Sequence, residues 1–164
     1  MLCGSLPEDE KHLKCSFCRV STENGFDVVW ENDHFIAFRD RHPACVTHVQ
    51  LIPKRHIGSV RSMHGEEDVA LLMQMKEVGE SLLDKMCAEG ATRRMGFHIP
   101  PFNSVDHLHL HLQELPYVST FRSKKYPTSH AKSPNKSKGF AWFVTIDQAI
   151  TILARGGKVG LFSC

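Results

Sequence analysis

His107-Leu108-His109-Leu110-His111-Leu112 alternates imidazole and leucine over six residues. Strict alternation is the pattern of a β-strand with two unlike faces. It sends the leucines to one side and the histidines to the other. The leucines read as core anchors. Three neighbouring imidazoles that titrate near neutral pH cover a surface poorly and suit a reaction site. A single strand histidine is most often structural; three in register favour chemistry. Two chemistries fit the residues. The rings can converge on Zn²⁺, with water completing a catalytic site. Alternatively, one neutral imidazole can act as a covalent nucleophile, with its neighbours as orienters and proton donors.

The flanking sequence supplies a scaffold. Residues 93–99 read as a strand, and Pro100-Pro101-Phe102-Asn103-Ser104 as the loop that delivers the chain to the histidines. Upstream, residues 27–31 and 34–39 read as a hairpin across Asn32-Asp33, and residues 47–53 as a third strand ended by Pro53. Residues 66–89 read as a long helix, with an apolar stripe at Val69, Leu72, Met73, Val78, Leu82, Leu83 and Met86 and a stop at Gly90. The order predicts an α+β fold: an antiparallel sheet of about five strands with a long helix on one face. Residues 142–145 return to an ordered pattern after a polar stretch, and 147–153 read as a short helix.

Other positions admit a functional and a plain reading. Asp40 follows a strand, where a carboxylate can accept ribose hydroxyls or cap the turn before Pro43. Cys15-Ser16-Phe17-Cys18 can be a redox pair, half of a zinc site, or two buried small residues. Residues 118–139, rich in Ser, Lys and Pro, are expected to form a disordered insertion rather than a nucleic-acid surface.

Bulk properties bound the rest. A chain of 164 residues suits one domain, assigned to 15–155, with a flexible tail at 1–14 and a frayed end at 156–164. A net charge of +2 does not suggest a protein that coats nucleic acid or an anionic surface. No apolar run approaches the ~20 residues of a membrane span. Residues 1–14 are polar, so the six cysteines are expected as reduced thiols in the cytoplasm or nucleus.

Together these stretches resemble the histidine triad nucleotide-binding proteins. The triad matches except that Gln113 replaces the last apolar position; residues 38–40 and 47–56 resemble the upstream segments. Arg94-Met95-Gly96-Phe97-His98, Pro100-Pro101-Phe102 and Trp142-Phe143-Val144-Thr145 look most like the family's third branch. The resemblance implies an adenosine 5'-monophosphoramidase, acting on AMP joined to an amine or lysine and on acyl-AMP, by way of a nucleotidyl-histidine. Its alternatives are a purine-nucleotide-binding adaptor without catalysis and a dinucleoside polyphosphate hydrolase. It implies His109 as nucleophile, His111 as phosphate and leaving-group contact, and His48 and His107 as supports. It further implies Ser104 near the leaving nitrogen, and Asp40, Arg41, His109, Leu110 and His111 as contacts to AMP. His98 stands where the best-known branch has asparagine. Catalysis would need no cofactor; a structural zinc would sit on Cys15, Cys18, His56 and His107. A homodimer is expected, with the long helix as a candidate contact.

Overall fold

The computed structural model describes residues 14–130 and 136–162. The expected tail lies outside them apart from Lys14. A 3₁₀ turn, Ser16–Arg19, leads into β1 (Val28–Glu31), β2 (Phe35–Arg39), β3 (His48–Pro53), α1 (Gly65–Met86), β4 (Thr92–His98), β5 (Leu110–Leu115), α2 (Thr120–Ser123), β6 (Phe143–Thr145) and α3 (Ile146–Ala154). One antiparallel sheet runs β1-β2-β3-β5-β4-β6. It has six strands rather than about five, because residues 143–145 pair with 96–98 of β4. No helix among the described residues is long and apolar enough to cross a membrane.

The local causes are plain. Asn32 Oδ1 accepts from the backbone of His34 (2.9 Å) and Phe35 (2.7 Å), closing the first hairpin. α1 has Glu66, Glu67 and Asp68 in its first turn, where carboxylates oppose the helix dipole. Its buried residues are Leu72, Met75, Gly79, Leu82 and Leu83. The predicted Met73 is half exposed. At 3.6 residues per turn, 72, 75, 79, 82 and 83 share a face and 73 turns away from it. α1 also stops before Gly90, because Cys87 is extended and ties its N–H to Leu83. α3 starts on a capping box between Thr145 and Gln148.

Leu108, Leu110 and Leu112 lie in the core with Val49, Leu51, Leu72 and Met75. The histidines lie on the other face, but only His111 falls within β5. The stretch before it is extended without a strand partner; Leu108 N–H donates to Ile57 O (2.6 Å). Alternation reports which face a side chain takes, not where ladder pairing starts.

Two expectations are corrected. In the proposed insertion at 118–139, Ser119 caps α2 and Tyr126 is buried. Lys138 is fully buried, its ammonium donating to the carbonyls of Gly139, Ala141, Gly160, Leu161 and Phe162 at 2.8–3.4 Å. One aromatic ring and one carbonyl cage order a segment whose average composition is polar. Residues 131–135, also in that segment, lie outside the described residues. The expected frayed end is packed as far as 162, with Val159 buried and Leu161 against the core; 163–164 lie outside the described residues.

Gly96 sits where β5, β4 and β6 meet. A Cβ there would lie 2.4 Å from Val144 O and 2.6 Å from the Phe143 ring. Gly96→Ala should therefore push β6 off β4 and cost about 2 kcal/mol or more, read as a lower urea midpoint. A midpoint equal to that of the wild type would show that β6 is not held this closely.

Candidate active site

On the sheet face opposite the core, β2, β3, β5 and β4 present a row in register: Phe38, Gln50, His111 and Gly96. Beside it, His48 pairs with Gln113. A cavity of about 770 Å³ opens over this floor. Its β2 side is aromatic: Phe17, Phe26 and Phe38 meet edge to face, and Arg41 lies 5.2 Å over the Phe26 ring. On the β4 side are His98, Tyr126 and the stacked pair Phe102 and Trp142, with Ser104 also in the wall. The volume suits a small-molecule ligand.

The imidazoles form a directed chain. Ala44 N–H donates to His48 Nδ1 (3.1 Å), so the ring proton of His48 is on Nε2. That nitrogen lies 2.9 Å from His111 Nδ1 and donates to it. His111 then carries its proton on Nε2, 3.1 Å from His98 Nδ1. His98 Nε2–H ends the chain on Lys125 O (2.8 Å). One obligate donor and one obligate acceptor thus set three tautomers. Burial lowers the pKa of His48 and His109, lowers that of His111 strongly, and takes His98 to about 4.

His109 is set by a different contact. Its Nδ1 donates to the carbonyl of His107 (2.6 Å), which leaves the lone pair on Nε2. The ring is 6 % exposed and sits behind the cavity wall, with Phe17 edge-on at 5.5 Å and His111 at 5.1 Å. His107 turns away from the cavity. Its Nε2 donates to Pro53 O (2.9 Å), and its Nδ1 faces Cys15 Sγ (3.5 Å) and Cys18 Sγ (3.6 Å). His56 Nδ1 lies 3.3 Å from Cys18 Sγ. The donor atoms of Cys15, Cys18, His56 and His107 all lie within 4.8 Å of one another.

Asp40 caps a turn and also lines the cavity. Oδ1 accepts the backbone N–H of His42 (2.8 Å). Oδ2 accepts Gln50 Nε2 (2.6 Å) and lies 3.5 Å from His48 Nε2. Leu110, expected among the AMP contacts, places its side chain wholly in the core. The period-two pattern that puts His109 and His111 on the cavity's side of the sheet turns Leu110 away, leaving only its backbone for the site. Sequence reasoning missed Gln50, Phe17, Phe26 and Tyr126 as wall residues. Gln50 had a signal, as a polar residue inside an apolar strand.

Comparison with known proteins agrees with this geometry. The family model described as "Scavenger mRNA decapping enzyme C-term binding" matches residues 14–126. The chain is 42% identical over 114 residues to the Arabidopsis thaliana bifunctional adenosine 5'-phosphosulfate phosphorylase/adenylylsulfatase HINT4, covering 68% of this chain and 77% of that protein. It is 32% identical over 147 residues to adenosine 5'-monophosphoramidase HINT3 of Xenopus tropicalis, covering 84% and 86%. Among solved structures, a HIT family hydrolase from Legionella pneumophila superposes with a TM-score of 0.58 at 27% identity, covering 65% of this chain and 97% of that one.

Imidazoles held neutral by burial tie stability to pH. His98 has a folded pKa of about 4 against about 6.5 when unfolded. Below about pH 6.5 the unfolded chain takes up protons that the folded chain refuses. Stability is therefore full above about pH 7 and falls as the pH drops from about 6.5 towards 4. The urea midpoint should fall between pH 7.5 and pH 5, and His98→Asn should remove about 1–2 kcal/mol of that loss. An equal fall in the variant would show that His98 titrates normally.

Proposed function

The chain belongs to the histidine triad family, and from that premise we propose that it hydrolyses the P–N bond of adenosine 5'-monophosphoramidates through a nucleotidyl-histidine. The observation that carries this reading is the state of His109: neutral, with Nδ1–H bound to the His107 carbonyl and the lone pair left on Nε2, its ring directly behind Phe17 and His111, which line a mononucleotide-sized cavity. The aromatic β2 side suits a purine, Asp40 a ribose, and the His111–His98 floor a phosphate. His109 Nε2 attacks phosphorus as the P–N bond breaks, and the amine leaves once its nitrogen has gained a proton from solvent water, for which the Ser104 hydroxyl is a candidate relay; the water that later cleaves the nucleotidyl-histidine returns a proton to solvent. His111 Nε2–H, which points to His98 in the free enzyme, turns to a non-bridging oxygen and offsets charge in the transition state. Water then attacks the phosphorus, releasing AMP and restoring His109. The same nucleophile serves other leaving groups on the AMP phosphorus. The relative named for adenylyl sulfate, together with Lys125 in the cavity wall, supports such an anionic group as a second substrate class.

We also propose a structural zinc on Cys15, Cys18, His56 and His107. Four donors without an open position make a closed tetrahedral site, structural rather than catalytic. The Pro53 carbonyl holds His107 in the tautomer that turns the Nδ1 lone pair to the two sulfurs, the usual outer support of a ligating histidine. Cys15 precedes the turn Ser16–Arg19 and Cys18 lies within it, so a metal there would pin Phe17 against His109.

His109→Asn should lower kcat/KM for an adenosine phosphoramidate at least about a hundredfold, and intact mass of slow-turnover protein should show one added nucleotidyl group. A variant retaining more than about a hundredth of the wild-type rate would overturn the assignment of the nucleophile. Protein purified without added metal should carry one zinc per chain by elemental analysis. Cys18→Ser should lose it and several degrees of Tm, whereas His109→Asn should keep it. Absence of stoichiometric zinc from the wild type would remove the metal proposal.

A further inference from the structure

We propose that Gln50 reads the ribose of the bound nucleotide, a specificity role that rests on the nucleotide-hydrolase reading above. Gln50 lies on β3 between Phe38 on β2 and His111 on β5, in register with both. Adjacent strands are about 4.8 Å apart, so the aromatic and phosphate ends of the floor are separated by about 10 Å. That gap is the place of a sugar, and Gln50 is its floor.

The amide has a defined orientation. Asp40 Oδ2 lies 2.6 Å from Gln50 Nε2, and an ionised carboxylate only accepts. The nitrogen must therefore face Asp40 and the carbonyl oxygen must face away. That oxygen, Oε1, is buried and has no hydrogen-bond partner; among the described residues no other buried side-chain nitrogen or oxygen is in that state. A buried acceptor without a donor is unfavourable.

Its neighbours in the row offer none. Phe38 has no polar hydrogen. His111 donates Nε2–H to His98 and accepts on Nδ1. The cavity that Gln50 lines is the remaining source of a donor, reached by a small shift of the amide, because Oε1 itself is closed to water in the free protein. Of the parts of an adenylate, the phosphodiester-like phosphate has no proton to give, and the base belongs with Phe17, Phe26 and Phe38. A ribose hydroxyl can donate to Gln50 Oε1, with the Asp40 carboxylate beside it as acceptor for the second hydroxyl. The site would thus distinguish ribonucleotides from deoxyribonucleotides through two adjacent groups, one charged and one neutral.

The test compares adenosine, 2'-deoxyadenosine and 3'-deoxyadenosine 5'-phosphoramidates as substrates of the wild type and of Gln50→Leu, with Gln50→Met as the second variant should the first fail to fold. Calorimetric Kd values for AMP, 2'-deoxy-AMP and 3'-deoxy-AMP accompany the rates. The wild type should favour ribose over at least one deoxy sugar by about tenfold or more, since a site built to bond a hydroxyl penalises its loss. The variant should cut that ratio about tenfold. Ratios within about twofold of the wild type, or a wild type indifferent to the sugar, would overturn the proposal. Sugar-dependent AMP binding that Gln50→Leu abolishes, without turnover of any phosphoramidate, would keep the Gln50 assignment and overturn the hydrolase reading. Failure to bind all three nucleotides would overturn both.

Discussion

The one-way hydrogen-bond chain from Ala44 N–H through His48, His111 and His98 to the Lys125 carbonyl is the constraint on which the site depends. A neutral imidazole is ambiguous until something sets which nitrogen holds the proton. Here a backbone donor at one end and a backbone acceptor at the other set three rings at once. The arrangement needs every ring neutral, because a protonated member would face its neighbour with a second donor and no acceptor. Burial supplies that neutrality by making the charged form costly. Hydrophobic packing and polar order are therefore one design: Leu108, Leu110 and Leu112 fill the core beneath and thereby hold the histidines above in a dry, fixed row.

His107 links this row to the amino-terminal turn. Its ring faces the two cysteines and His56, while its carbonyl fixes the tautomer of His109. The first triad histidine is thus set apart from the cavity and acts through its backbone. Phe17 lies between the cysteines in sequence and against both His107 and His109 in space. On the proposed reading, the four-residue cluster does no chemistry. It would determine where the turn sits, and the turn would determine how phosphorus reaches His109. Access to the proposed nucleophile, a residue 6 % exposed, would then depend on the Phe17 ring as much as on the imidazole.

The sequence was most legible where one period governs many residues. Alternation at 107–112 assigned each side chain to the correct face, and the hairpin, β3, β4 and both longer helices were found within a few residues of their ends. It was least legible where a single side chain decides the outcome. Leu110 entered the expected AMP contacts through the resemblance; the alternation places its side chain in the core and leaves only its backbone for the site. Residues 118–139 read as unstructured because composition averages over a segment, whereas Tyr126 and Lys138 each act alone. The cluster of Cys15, Cys18, His56 and His107 joins positions up to 92 apart; no local pattern announces such a meeting, and it was the family resemblance that named the four residues, which the fold does bring together. Gln50 offered a faint signal, a polar residue between His48 and Ile52 on one face of β3, which acquires meaning only beside Asp40.

The two halves of the cavity are built by different means, and this bears on what each can discriminate. The β2 half rests on the sheet and on edge-to-face rings, with Asp40 and Gln50 bonded to each other at its inner border. Such a wall, aromatic on one side and closed by two polar groups on the other, suits a constant part of the substrate. The β4 half is assembled from connections: Phe102 and Ser104 from the loop before the triad, Lys125 and Tyr126 from the segment after α2, and Trp142 from the approach to β6. Two polar ties hold it. Ile99 N–H bonds the Trp142 carbonyl (2.9 Å), and the Lys138 ammonium gathers the carbonyls of residues 139, 141 and 160–162. A charged group buried at that depth persists only where its hydrogen-bonding capacity is met, so the cage makes the end of the chain a structural part of the cavity wall. A sheet-built side for the nucleotide and a loop-built side for whatever is attached to it is the division expected of a hydrolase that keeps one half of its substrates constant while the other half varies.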